Sequence, residues 1–144
     1  NYSEALFWAF LARLGKIEKA EELTEDLIDI VPEKVLKDVR EKVLKHLLVR
    51  FDNRDRAVLT ELGDFYLLIQ DEQDFENAYL WYNVASAIGI ENSGDIRDKV
   101  EKELEPDTIV KMQSASRKRY EEFTENKVME NEKKTKTTEQ DYES

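Results

Sequence analysis

The chain has no cysteine, one histidine, two prolines and four glycines among its 144 residues. Without cysteine there is neither a disulfide framework nor a thiolate metal site, so packing and hydrogen bonds alone must hold the fold, and the redox compartment stays open. The one histidine, His46, has no nucleophile-like serine or threonine motif beside it, so a base or ligand role is disfavoured. So few glycines and prolines suit helices joined by short turns. No stretch approaches the roughly 20 apolar residues that cross a bilayer. Positive charge is in deficit, 22 basic against 33 acidic residues for a net charge of −11. Such a surface repels a phosphate backbone and is equally unsuited to anionic lipid. No glycine-rich phosphate cradle occurs anywhere.

What is present is helical periodicity, and it repeats. The first half reads Ala5, Trp8, Ala12, Gly15, Pro32, then Val35 and Leu36; the second reads Ala78, Trp81, Ala85, Gly89, Pro106, then Ile109 and Val110. The offset is 73 up to the alanines and 74 from the glycines onward. Three- and four-residue apolar steps predict helices over 2–14, ended by a left-handed Gly15, and over 17–30. A third begins with Pro32 in its first turn and carries Val39, Val43 and Leu47. After a polar break at Asp52-Asn53-Arg54 a fourth spans 56–70, with Gly63 where another backbone comes close. A fifth over 75–88 is capped by Asp74, a sixth by Ser93, and a seventh opens at Pro106. Residues 124–144 hold ten charged side chains and few apolar ones, which predicts a loose tail. The expected organisation is a repeat unit with closing helices over 1–50, a second over 51–123 and the charged tail over 124–144. The fold class is all-α, a short α-solenoid of about seven helices in stacked hairpins.

The run Leu62-Gly63, Tyr66, Asp74, Ala78, Trp81-Tyr82, Ala85 and Gly89 resembles the Sel-one-like repeat (SLR), a relative of the tetratricopeptide repeat. In that family a Leu-Gly helix is followed by a helix with Ala, Trp, Ala and then glycine. The first copy matches only the second of these helices, and the glycine-rich turn is replaced by the acidic stretch 67–73. The resemblance implies a non-catalytic scaffold or adaptor that binds other proteins, with no cofactor and no catalytic residues. Basic partners are favoured by the acidic body, and a homo-oligomer or larger complex is open. The competing class is an accessory subunit built permanently into such a complex. A start at Asn1 fits a trimmed signal peptide or the interior of a longer chain. Exported or periplasmic placement in bacteria is therefore slightly favoured over the cytoplasm.

The Leu-Gly helix that should precede Ala5 is missing, which leaves Phe7, Phe10 and Leu11 as the expected interaction residues. An upstream segment, a second copy or a partner would cover them, unless helices three and four fold back over the patch. The other chemical candidates are weaker. Asp71, Glu72, Asp74 and Glu76 lack the ligand spacing and glycine of a calcium loop. Arg50, Arg54 and Arg56 are interleaved with Asp52 and Asp55. Glu41 with Lys45 and Asp98 with Lys102 read as solvated helix pairs. Both tryptophans lie on the small-residue line, so packing is expected of each.

Overall fold

A computed structural model describes the backbone over residues 1–143 and side chains over 1–125, and the described residues form an all-α fold without strands. The helices are α1 (Tyr2–Leu14), α2 (Ala20–Ile30), α3 (Glu33–Asp52), α4 (Val58–Asp64), α5 (Phe75–Ile88), α6 (Ser93–Glu101) and α7 (Pro106–Glu143). A π-helical turn, Phe65–Ile69, continues α4. The loose tail expected over 124–144 falls, from residue 126 on, outside the residues whose side chains are described.

The helices pack as hairpins. α1 lies against α2 and α3, α4 against α5, and α5 against both α6 and α7. A single apolar core runs from Leu6 to Phe123. α3 ties the halves together: it passes through the expected boundary at residue 50, and its last turn sends Phe51 into the second half. There the Phe51 ring stands 5.2 Å from Trp81 and 5.6 Å from Phe123.

The internal repeat is a repeat of backbone geometry, and its register is 73 throughout. Asn1 caps α1 by accepting from Ser3 N, and Asp74 caps α5 by accepting from Asn77 N. The helix starts agree as well: Ala20 matches Ser93 and Glu33 matches Pro106. Left-handed residues recur at the same step, Lys16 (φ 61°) with Gly89 (φ 95°) and Lys19 (φ 69°) with Asn92 (φ 67°). The reversal after α1 is closed by Ile17 N donating to Ala12 O at 2.9 Å, that after α5 by Ile90 N donating to Ala85 O at 3.0 Å. These are the same six-to-one helix-ending turn. A third example follows α3, where Arg54 is left-handed and Asp55 N donates to Arg50 O at 3.0 Å.

Three local expectations are corrected by this register. Gly15 does not take the left-handed position: its φ is −78°, its N–H still bonds Leu11 O, and the reversal falls on Lys16. The one-residue shift to 74 therefore belongs to the residue types alone. A lysine in the left-handed region costs on the order of 1 kcal/mol relative to the glycine that serves α5. The α2 helix begins at Ala20 because residues 16–19 are used by this turn. Ser93 does not cap α6; its Oγ donates to Ile90 O at 2.5 Å, and Asn92 stands at the cap without a side-chain bond.

Gly63 makes a close approach, to a ring and not to a backbone. A Cβ there would lie 2.6 Å from Cε1 of Tyr82. The tyrosine is fully buried and its hydroxyl donates to Asp64. The end of the α4 segment is closed from α3, where Arg40 Nε donates to Ile69 O at 2.7 Å. The carbonyls of a helix end have no partner of their own, so this bond fixes the π turn to α3.

Candidate interaction site

α1 has two unlike faces. Leu6, Ala9, Phe10 and Leu14 recur at three- and four-residue steps and are buried. On the opposite side Tyr2 and Trp8 are 64% and 59% exposed, Ala5 is exposed and Ala12 half-buried. Single exposed apolar residues are ordinary, but these two aromatics share one face with small residues, which marks a surface built for contact.

Beside this face, α1 and α3 frame a groove of about 560 Å³. Phe7 forms one wall and Val39, His46 and Val49 the other. Phe7 joins groove to face: its ring meets Trp8 edge-on at 5.1 Å and His46 edge-on at 5.9 Å. Val49 is 52% exposed at the groove's lip. Lys42 and Lys45 also line it, a local positive edge on an acidic chain, with Glu4 across from them on α1.

The second half shows the same positions in use. Trp81, which matches Trp8, is 3% exposed, and Ala78 and Ala85 are fully buried. Phe51 covers Trp81 from α3, and the Arg119 guanidinium lies 5.2 Å from the Trp81 ring and 5.6 Å from the Phe51 ring. A cation stacked on two desolvated rings is worth on the order of 1–2 kcal/mol. His46 matches Arg119 at the offset of 73.

The expected interaction residues separate. Phe10 is fully buried and belongs to the core, so it presents no surface, while Phe7 and Leu11 are half-buried against that core. The fold-back of α3 onto α1 does occur. Trp8, expected to pack like Trp81, is instead the exposed aromatic, as are its neighbours Tyr2 and Val49. The signal for this was in the sequence: a missing Leu-Gly helix would uncover the Ala5–Trp8–Ala12 line, not the Phe10 side.

The remaining polar groups are engaged in structure. Arg50 forks onto Asp55 at 2.8 Å and onto both oxygens of Glu61 at 3.1 and 2.6 Å. Its pKa is raised, first by the hydrogen bond to Glu61. The Tyr82 hydroxyl is raised well above the usual tyrosine value, mainly by burial and then by its bond to Asp64, which Lys16 Nζ also approaches at 3.7 Å. Burial likewise raises Tyr66, and the nearby Asp74 adds to it. In the acidic connection, Asp74 spends both carboxylate oxygens on Asn77, at 3.0 and 2.7 Å. Among the described residues no three His, Asp or Glu side chains converge as a metal site, and no helix is long and apolar enough to cross a membrane.

No known protein family, curated protein or solved structure matches this chain.

Proposed function

We propose that this chain is a non-catalytic protein-binding scaffold of the helical-repeat kind, a short α-solenoid of the Sel-one-like type. The observation that carries the reading is the exposed Trp8 face with its adjoining α1–α3 groove. A tryptophan, a tyrosine and a valine at the surface, backed by a rigid helix, match the composition of the buried core of protein interfaces. Lys42, Lys45 and Glu4 supply the polar rim. The hairpin packing, the matched tryptophans and the Leu62-Gly63 pair support the repeat assignment.

Electrostatics divides the partner's surface. The net charge of −11 steers basic proteins toward the molecule as a whole, whereas the groove itself, with two lysines, suits a partner whose docking edge carries a carboxylate. The function is tested by placing a photo-crosslinking amino acid at Trp8 and, as a control on another exposed apolar position, at Leu23. The expected result in the source cells is one heterologous protein joined at position 8 and not at 23. Equal products at both positions, or none at position 8, would refute the reading.

A further inference from the structure

We infer that the Trp8 face is the receiving surface for a helical hairpin of a partner protein, docked as α3 and α4 dock on α5 in this chain. The inference rests on the scaffold reading and specifies the kind of partner. Its basis is the chain's own repeat. α1 to α3 and α5 to α7 share one backbone register, down to matched caps and matched left-handed residues. On the second unit the Ala78–Trp81–Ala85 face is covered by the last turn of α3 and by α4. On the first unit the matching Ala5–Trp8–Ala12 face has nothing over it among the described residues.

The covering element has definite chemistry. Its first helix ends in an aromatic residue, as α3 ends in Phe51, aimed at the tryptophan. Its second helix carries a small residue at the closest approach, as Gly63 does in α4. The incoming aromatic would lie between Trp8 and His46, since His46 holds the place from which Arg119 stacks on both Phe51 and Trp81. Acidic residues beside that aromatic would meet Lys42 and Lys45. A second copy of the chain is a poorer occupant: its α3–α4 hairpin is already spent on its own α5, and two surfaces of charge −11 repel.

The experiment uses the chain's own hairpin as the probe. Residues 33–73 are added directly ahead of Asn1, so that the added hairpin meets Asn1 as the native one meets Asp74, at the high effective concentration of a tether. Iodide quenching of fluorescence is read in this protein and in the original chain, each with its Trp8→Phe variant, so that the difference isolates Trp8. Docking predicts a several-fold fall in quenching of Trp8, reversed by Phe51→Ala in the added hairpin alone. The inference is overturned if Trp8 stays as quenchable as in the original chain while far-ultraviolet circular dichroism shows the added residues helical. It is also overturned if Phe51→Ala in the added hairpin changes nothing, or if light scattering shows the original chain to be a dimer that shields Trp8. A crosslinked partner at position 8 without hairpin docking would sink this inference and leave the scaffold reading intact; hairpin docking without any crosslinked partner would do the reverse.

Discussion

Truncating each tryptophan to alanine sets two matched positions of one repeat against each other. Trp81 is 3% exposed and Trp8 59%, so they differ by more than half of a residue surface. An aromatic side chain buries up to about 250 Å², which makes the difference roughly 140 Å² or about 3.5 kcal/mol at about 25 cal/mol per Å². Trp81→Ala also removes the edge contact with Phe51 and the ring under Arg119. It is expected to cost about 4–5 kcal/mol, the upper part of the range for buried Trp-to-Ala changes. Trp8→Ala is expected to cost about 1 kcal/mol, because only its contact with Phe7 is lost. The assay is urea unfolding of the original chain and both variants, followed by far-ultraviolet circular dichroism so that loss of a fluorophore does not matter. Equal costs, within about 0.5 kcal/mol, would mean that Trp8 is packed in solution and that the exposed face does not exist.

Three other perturbations probe the elements that hold this arrangement. Gly63→Ala gains about 1 kcal/mol of helix propensity but drives a Cβ into the buried Tyr82 ring, so a net loss of about 1–2 kcal/mol is expected in urea unfolding. In a Tyr82→Leu background the same substitution should turn neutral or stabilising. Arg50→Met leaves Glu61 largely buried with its charge unpaired and should cost about 3 kcal/mol, most of it regained by adding Glu61→Leu; a purely additive pair would refute the coupling. Tyr82 and Tyr66 have folded pKa values raised above the ordinary 10, so the folded state keeps protons that the unfolded chain loses. Their contribution is fully present below about pH 10 and falls above it by up to about 1.4 kcal/mol per pH unit for each group. The urea midpoint should drop over that range, and Tyr82→Phe should make the fall shallower.

The helices were legible because their buried stripes and punctuation are local. Asp74 caps α5 and Pro106 opens α7 where the sequence puts them, and Phe75–Ile88 forms as its periodicity predicts. The misread details belong to turns whose hydrogen bonds decide the residue at the left-handed site. Glycine normally marks that site, but after α1 the bond from Ile17 N to Ala12 O puts Lys16 there, one place beyond Gly15. The π turn at Phe65–Ile69 left no pattern in the sequence, since it depends on Arg40, 29 positions earlier, bonding Ile69 O. The interaction face was half legible. The missing helix ahead of Ala5 was visible, but which side of α1 it would cover depends on α3 folding over Phe10, a tertiary fact.

The same consideration explains why a binding face here looks like a core. Trp8 and Trp81 occupy one position of one supersecondary unit, flanked by alanines at the same steps, and no local property separates them. What separates them is whether a hairpin stands in front. In a repeat architecture every unit offers such a face to its predecessor, so the face at an array's start carries core chemistry at the surface. Binding there would be governed by fit of ridges and rings, with affinity centred on Trp8 and a rim of Lys42, Lys45 and Glu4 that shields it from water. A partner selected this way is recognised by its helical shape and one well-placed aromatic, and a short linear charged motif would lack both.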